Sequence, residues 1–221
     1  MKIIKILLAE DHVLVRQSIR QALERDDTLE IVGEAGDGEE AVKMAAQLKP
    51  DIAIVDISMP RLNGIEATKR IKMAQPATAI LVLTAYDYEQ YIFPLLEAGA
   101  AGYLLKDVNG DQLINAVHTV ATGESVLHPT VTRKVLERFR MSPTGREESK
   151  TSDLLTEREK AVLKMAAGGM GNKDIASELH LSIRTVETYM GSIFNKLGVA
   201  SRTEAVVRAM RYGWFDTKDI P

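Results

Sequence analysis

Short runs of apolar, often β-branched residues alternate with longer segments of helical period over about the first 120 residues. This alternation is typical of βαβ units, which build a parallel sheet. Five strands are predicted, and the last three are nearly continuous apolar runs of the kind that a sheet buries on both faces. The predicted strands are Ile3–Ala9, Glu30–Glu34, Ile52–Asp56, Ala79–Thr84 and Ala101–Leu105.

Segments with a helical period separate the strands and are expected at residues 13–25, 38–48, 64–74, about 92–98 and 111–121. Pro94 would break a helix that began at Asp87, but it fits the first turn of a helix that begins near Tyr91. We therefore expect the fourth helix to start late. Together these elements predict an α/β domain, with a doubly wound five-stranded parallel sheet, over residues 1–122.

The pattern changes after Gly123. Residues 131–139 have the period of one amphipathic helix, and residues 140–153 are polar and contain Pro, Gly, Ser and a Glu pair, as linkers do. We interpret 123–153 as a linker region. The strand pattern is absent beyond it, and helical segments indicate a small all-α domain over residues 154–221.

Local signals place the helices of this second domain. Thr156 and Ser201 are each followed three residues later by Glu, which is the capping-box pattern, and Ser182 is a candidate N-cap. A short loop around Ser182 joins the segments 172–179 and 183–197. Two helices separated by a tight turn are the outline of a helix-turn-helix.

Composition narrows the function classes. The chain has 221 residues, no Cys and four scattered His, which excludes thiolate metal sites and disulfides and makes an imidazole metal site a poor fit. No window approaches the roughly 18 consecutive apolar residues of a membrane span, and we expect no membrane insertion and no signal peptide. The absence of Cys favours a reducing, cytoplasmic location.

Charge is distributed unevenly along the chain. The overall net charge is −3, but residues 1–121 carry 12 Lys/Arg and 18 Asp/Glu, a net charge of −6, and the remainder carries +3. The C-terminal part therefore approaches a polyanion such as nucleic acid more easily than the N-terminal part does.

Four of the predicted strands have polar residues at their carboxyl ends. Asp56 and Thr84 are the last residues of two strands, and Glu10, Asp11 and Lys106 directly follow two others. Ligands of open parallel sheets bind at this edge. Converging carboxylates repel one another unless a hard cation such as Mg²⁺ bridges them. With a cation bound, the Asp56 carboxylate is suited to attack a phosphoryl group, whose oxygens Thr84 and Lys106 would contact.

Other enzyme classes fit these residues less well. A flavin or dinucleotide binder needs a glycine-rich phosphate loop after the first strand, where this chain has Glu10-Asp11-His12. A Mg²⁺-dependent phosphohydrolase usually has a second carboxylate two residues after its nucleophile, and position 58 is Ser.

Several motifs of residues 3–122 resemble the receiver domain of two-component response regulators. They are Glu10-Asp11-His12, Asp56-Ile-Ser-Met-Pro60 with Asn63-Gly64, Thr84-Ala85 and Gly102-Tyr-Leu-Leu-Lys106-Asp107. The resemblance implies that Asp56 is the phosphoacceptor and that Glu10, Asp11, Asp56 and the Ser58 carbonyl hold Mg²⁺. It also implies that Thr84 and Tyr103 are a conformational switch pair and that Lys106 pairs with the phosphoryl group.

Residues 153–215 resemble the LuxR-type DNA-binding domain. The motifs are Leu155-Thr-Glu-Arg-Glu159, Asn172-Lys-Asp-Ile-Ala176, Leu181-Ser-Ile-Arg-Thr-Val-Glu-Thr188, Lys196-Leu-Gly-Val199 and Ser201-Arg-Thr-Glu-Ala205. The whole chain therefore resembles a response regulator of the NarL/FixJ class.

The segment 183–197 is the expected recognition helix, which enters the major groove of double-stranded DNA. We expect phosphate contacts from Lys173, Arg184, Thr185, Lys196, Ser201 and Arg202, and base contacts or close approach from Glu187, Thr188, Tyr189, Gly191 and Ser192. Relatives often have Lys at position 187 and His at position 189. Glu187 would instead accept from a cytosine amino group or form an ion pair within the protein.

The resemblance implies a transcription factor that a sensor histidine kinase switches by Mg²⁺-dependent phosphorylation of Asp56, with a homodimer in the phosphorylated or DNA-bound state. Its own phosphoryl transfer and autodephosphorylation are the only catalysis expected. The alternative is a DNA-binding regulator whose receiver dimerises or docks a partner without phosphorylation.

Overall fold

The computed structural model describes residues 3–141, 155–212 and 214. The N-terminal part alternates strands and helices: β1 Ile4–Ala9, α1 Val13–Leu23, β2 Leu29–Ala35, α2 Gly38–Leu48, β3 Ile52–Val55, α3 Gly64–Ala74, β4 Ala79–Thr84, α4 Glu89–Glu97, β5 Gly102–Leu105, α5 Gly110–Ala121, β6 Val126–Leu127 and α6 Pro129–Met141. The C-terminal part is helical: α7 Glu157–Ala167, α8 Asn172–Glu178, α9 Ile183–Leu197 and α10 Arg202–Arg211.

All strands of the sheet are parallel, in the order β2-β1-β3-β4-β5-β6. Apolar side chains alternate between its two faces, so that Leu7 and Val55 pack under one layer of helices while Ile6 and Ile54 pack under the other. This arrangement confirms the doubly wound, flavodoxin-like α/β prediction.

The predicted number of strands was wrong, because the sheet has six strands and not five. The sixth, β6, is two residues long and pairs with Gly102 and Tyr103 of β5. Two residues carry no period, so the sequence gives no signal for such a strand. It forms because the chain, after the turn at Gly123, returns along the open edge of β5.

The fourth helix also differs from the prediction, because it begins at Glu89 and contains Pro94 at its sixth position. A proline inside a helix costs about 3 kcal/mol relative to alanine. Ile92, Phe93 and Leu96 of this helix are buried, and each apolar side chain contributes roughly 1.5–3 kcal/mol on burial. Packing against the sheet therefore outweighs the local preference against an early start.

Helix α6, which contains the predicted helical segment 131–139, packs against the α/β domain. Val131 and Val135 are buried in the same core as Tyr103. The Lys134 ammonium lies 2.8 Å from the carboxylate of Asp87 in the loop between β4 and α4. Helix α6 ends at Met141 and so includes the first two residues of the predicted linker 140–153, whose remaining residues lie outside the described part of the chain.

The C-terminal helices pack around a second core, and their starts follow the sequence signals. Thr156 and Glu159 form a complete capping box, and the Ser182 hydroxyl accepts from the Thr185 amide. Helices α8 and α9 are joined by a turn in which His180 has a φ of 54°. Within the described residues, no helix is both long and apolar enough to cross a membrane.

The two parts of the chain contact each other through the N-terminal turn of α10. The Ser201 hydroxyl donates to the Ala100 carbonyl oxygen at 3.2 Å, and the Thr203 and Ser125 hydroxyls lie 2.6 Å apart. The Glu124 carboxylate accepts from the Asn172 amide at 2.8 Å. These contacts join α10 and the start of α8 to the loops that precede β5 and β6.

Candidate functional site

The carboxyl ends of four neighbouring strands bring the predicted acidic residues together. The Asp56 amide donates to the Ala9 carbonyl at 3.0 Å, and the Lys106 amide donates to the Thr84 carbonyl at 2.8 Å. Glu10 and Asp56 are buried at this edge, while Asp11 is partly exposed. Parallel strand order therefore forms a polar pocket from residues that are far apart in sequence.

Lys106 is the cation of this pocket. Its ammonium lies 2.6 Å from Glu10 Oε2 and 2.8 Å from Asp56 Oδ2. Burial alone would lower the pKa of Lys106, but the hydrogen bonds to Asp56 and Glu10 hold that pKa above its ordinary value. Lys106 is thus charged at neutral pH and bridges two carboxylates.

The pocket holds more carboxylates than Lys106 balances. The candidate ligand atoms of Glu10, Asp11 and His12 lie within 4.8 Å of one another, and Asp11 Oδ1 is 2.9 Å from His12 Nδ1. Carboxylate oxygens in excess of the local positive charge are the donor set that Mg²⁺ takes in proteins. The carboxylates of Glu10 and Asp11 therefore fit that ion.

One oxygen of the Asp56 carboxylate is held by the backbone. Asp56 Oδ1 accepts from the Ile57 amide at 2.7 Å, while Oδ2 accepts from Lys106. Ser58, the predicted carbonyl ligand, is exposed in the loop that follows β3. The backbone bond orients the carboxylate, so that its second oxygen lies beside Lys106.

Thr84 and Tyr103, the predicted switch pair, contact the same loop residue. The Thr84 hydroxyl accepts from the Tyr86 amide at 3.4 Å, and the Tyr103 hydroxyl donates to the Tyr86 carbonyl oxygen at 2.8 Å. Both side chains are buried. Burial, together with the negative charges of Asp87 and Asp56, raises the pKa of Tyr103, so its phenol stays protonated.

The predicted recognition helix, α9, presents one open face. Arg184, Glu187, Thr188 and Gly191 are exposed, and nothing lies within 4 Å of the position that a Cβ of Gly191 would occupy. Thr185 and Tyr189 lie at intermediate burial beside this face. The open face therefore has room for another molecule to approach the helix backbone.

Two of the predicted DNA-contacting residues of α9 have hydrogen-bond partners on another helix of the domain. The Ser192 hydroxyl donates to Glu159 Oε1 at 2.6 Å, and the Lys196 ammonium donates to Glu159 Oε2 at 2.7 Å. In the sequence, Glu159 is recognisable as the second member of a capping box and as the last residue of the motif Leu155–Glu159, and neither pattern gives it a partner on α9. Its second function depends on how α7 packs against α9, which no local pattern reveals.

Ser201 and Arg202, both expected to contact phosphate, are buried in this conformation, and Lys173 is exposed. Arg202 donates to Asn172 Oδ1 at 3.1 Å and to the Met170 carbonyl oxygen. Burial lowers the pKa of Arg202 below its ordinary value, although the nearby Glu124 carboxylate opposes this shift. The start of α10 therefore faces the N-terminal part of the chain and not the solvent.

Comparison with known families matches both parts of the chain. Residues 6–118 match the response regulator receiver domain, and residues 153–209 match the bacterial regulatory proteins of the luxR family. The transcriptional regulatory protein YxjL of Bacillus subtilis is 40% identical over 211 residues, which are 95% of this chain and 96% of that protein. The oxygen regulatory protein NreC of Staphylococcus carnosus is also 40% identical over 211 residues, 94% of this chain and 97% of NreC.

A solved structure with similar architecture contains DNA. The complex of the two-component response regulator RcsB with DNA has a TM-score of 0.57 at 27% identity, covering 95% of this chain and 99% of RcsB. The receiver match comes first along the chain and the luxR-family match second, and the two bacterial relatives align over nearly their whole length. The chain therefore belongs to the two-component response regulators that join a receiver domain to a LuxR-type DNA-binding domain and regulate transcription.

Proposed function

We propose that a sensor histidine kinase phosphorylates Asp56 of this transcription regulator and that phosphorylation controls its binding to double-stranded DNA. The observation that carries the proposal is the pocket itself, where Asp56 lies among Glu10, Asp11 and Lys106. Three carboxylates around one ammonium leave negative charge that a divalent cation would neutralise.

In the proposed reaction, Asp56 Oδ2 attacks the phosphorus of a phosphohistidine, so that a P–O bond forms as the P–N bond breaks. The leaving imidazole stays with the kinase. Lys106 already contacts Oδ2 and would follow the incoming charge to a phosphoryl oxygen. Mg²⁺ held by Glu10, Asp11, Asp56 and the Ser58 carbonyl would stabilise the charge on the phosphoryl oxygens.

The same pocket supports slow loss of the phosphoryl group to water, which is the autodephosphorylation expected of a transient signal. A dedicated phosphohydrolase would place a carboxylate two residues after the nucleophile. This chain has Ser58 there, and its side chain is exposed. We therefore propose that the phosphorylated receiver persists long enough to act as a signal.

We further propose that the unphosphorylated receiver restrains the DNA-binding domain. Ser201 and Arg202 are buried between the two domains, while the open face of α9 is exposed. A conformational change that begins at Thr84 and Tyr103 would separate the domains, free the start of α10 for phosphate contact and permit a homodimer on DNA. The contacts of Ser201 and Thr203 with the receiver support this coupling.

Intact-mass measurement after incubation with acetyl phosphate tests the phosphorylation step. We expect one phosphoryl adduct that requires Mg²⁺ and that Asp56→Asn abolishes. Asp107→Asn is the control, because Asp107 is an exposed carboxylate beside Lys106 in sequence. An unmodified mass under every condition would contradict the proposal and favour a receiver that works without phosphorylation.

A further inference from the structure

The carboxylate of Glu159 lies between α7 and α9 and is almost fully buried, with 3% of the residue exposed. It accepts four hydrogen bonds. Two come from Thr156, through its amide at 2.7 Å and its hydroxyl at 2.8 Å. The other two come from the Ser192 hydroxyl at 2.6 Å and the Lys196 ammonium at 2.7 Å. Oε2 accepts from Thr156 and Lys196 and Oε1 accepts from Ser192, so both oxygens of the carboxylate bind α9.

Glu159 is charged although it is buried. Burial alone would raise its pKa, but the bonds from Lys196, Ser192 and Thr156 bring the pKa down to about 2. At neutral pH the pair of Glu159 and Lys196 therefore has no net charge. The Lys196 side chain is 36% exposed, so this lysine lies at the surface while the carboxylate that it pairs with is buried.

Ser192 and Lys196 are four residues apart and so share one flank of α9, the flank that faces α7. Arg184, Thr188 and Gly191 lie on the adjacent open face. Glu159 on α7 therefore opposes the positive charge of Lys196 on α9. It does not pair with Arg184, which lies on the open face of α9.

We propose that Glu159 is a positioning residue that holds Lys196 charge-balanced at the edge of the DNA-binding surface and so limits sequence-independent attraction to DNA. The proposal rests on the proposed DNA-binding function of α9. A lysine that neutralises a phosphate releases condensed counterions, and this release dominates non-specific affinity. A lysine whose charge an adjacent carboxylate already balances contributes less. Lower non-specific affinity raises the ratio of specific to non-specific binding.

The test replaces Glu159 by its uncharged isostere. Glu159→Gln keeps the capping box, which Gln also completes, and removes the charge that opposes Lys196. We expect the plot of log affinity against log salt, measured with the full chain and a duplex of unrelated sequence, to become steeper by about 0.9, the increment for one more neutralised phosphate. Adding Lys196→Gln to this variant should return the slope to its original value.

Glu157→Gln is the matched control. Glu157 lies on the same helix and pairs with Lys160 at 2.8 Å, but its side chain is 89% exposed. Its replacement changes the net charge equally and should leave the slope unaltered. An equal slope for Glu159→Gln and the parent, or equal steepening in both glutamine variants, would overturn the proposal.

A second variant tests the charge balance between Glu159 and Lys196 even if Glu159→Gln does not fold. Lys196→Gln in the otherwise unaltered chain should lower the slope by clearly less than the roughly 0.9 expected of a lysine that neutralises a phosphate. A decrease of the full size contradicts the charge balance. All slopes are measured on chains phosphorylated with acetyl phosphate and Mg²⁺, so that the receiver does not restrain α9. A phosphorylated parent chain without salt-dependent duplex binding would refute the proposed DNA-binding function along with this inference.

Discussion

The receiver and the DNA-binding domain each contain a buried carboxylate that is hydrogen-bonded to a lysine, and the nitrogen-to-oxygen distances of the two pairs are almost the same. Lys106 is 2.8 Å from Asp56, and Lys196 is 2.7 Å from Glu159. The surroundings differ. Lys106 also contacts Glu10 at 2.6 Å, with Asp11 close by, whereas Glu159 has two hydroxyl donors and no second carboxylate beside it in the described contacts.

This difference separates a reactive site from a structural one. In the receiver, one ammonium faces several carboxylates, and the remaining negative charge favours a divalent cation and a phosphoryl group. In the DNA-binding domain, both oxygens of the Glu159 carboxylate accept hydrogen bonds and Lys196 matches its charge, so it orients α9 against α7. Excess charge, and not the presence of a lysine–carboxylate pair, marks the chemical site.

The largest expected effect tests whether the two regions act on each other. The chain has no Cys, and the Ser125 and Thr203 hydroxyls lie 2.6 Å apart across the domain contact. Ser125→Cys with Thr203→Cys should therefore form a single disulfide that holds the start of α10 on the receiver. Because Ser201 and Arg202 then stay buried, we expect affinity for DNA to fall at least tenfold, about 1.4 kcal/mol.

Binding of the phosphorylated double variant, oxidised and reduced, to a DNA duplex would be measured by fluorescence anisotropy, because phosphorylation is what releases the contact when no disulfide is present. Reduction should restore the affinity, and Thr203→Cys alone is the control for the loss of the hydroxyl. Equal affinities of the oxidised and reduced forms would show that the contact is compatible with DNA binding, and the two regions would then be independent.

The second prediction tests whether the receiver pocket has excess negative charge. Mg²⁺ should raise the free energy of unfolding of the receiver by about 1.4 kcal/mol at ten times its dissociation constant, because it binds only the folded pocket. Urea unfolding with and without Mg²⁺ measures this shift. Asp11→Asn should reduce it, and Glu66→Gln, which alters a partly exposed carboxylate on α3, should not. A shift of the same size in Asp11→Asn would place the ion elsewhere.

The smallest effect concerns a third carboxylate pair, at the surface. Asp26 lies 2.8 Å from His118, and hydrogen bonds from His118 and Thr28 lower the pKa of Asp26 to about 2. A lowered pKa stabilises the fold above the ordinary value near 3.8, and this stabilisation is lost as the pH falls toward 2. His118→Gln should raise the pKa of Asp26 and make acid unfolding begin at a slightly higher pH.

Titration of the Asp26 carboxyl by NMR, together with acid unfolding followed by circular dichroism, measures both quantities. His128→Gln is the control, since that ring lies 3.6 Å from a different carboxylate, Asp107. Since the Asp26–His118 pair is partly solvated, the shift in acid stability should be modest. A pKa of Asp26 that stays near 2 in His118→Gln would assign the effect to Thr28 alone.

The parallel α/β fold and the residues of the acidic pocket follow from local sequence pattern. Apolar runs such as Ile52–Val55 are readable as buried strands, and polar residues that directly follow them, such as Asp56, must lie at one edge of a parallel sheet. Capping residues such as Thr156 and Ser182 are equally readable, because they act within one turn of helix.

Features that depend on partners far apart in sequence are set by tertiary packing and have no local signal. The early start of α4 despite Pro94, the addition of β6 to the sheet and the burial of Arg202 all follow from packing between segments far apart in sequence. The same holds for Glu159, whose capping role is local but whose bond to Lys196 crosses 37 residues. Local pattern specifies which surfaces are apolar or charged, and the energy of bringing two such surfaces together decides which groups remain free to act.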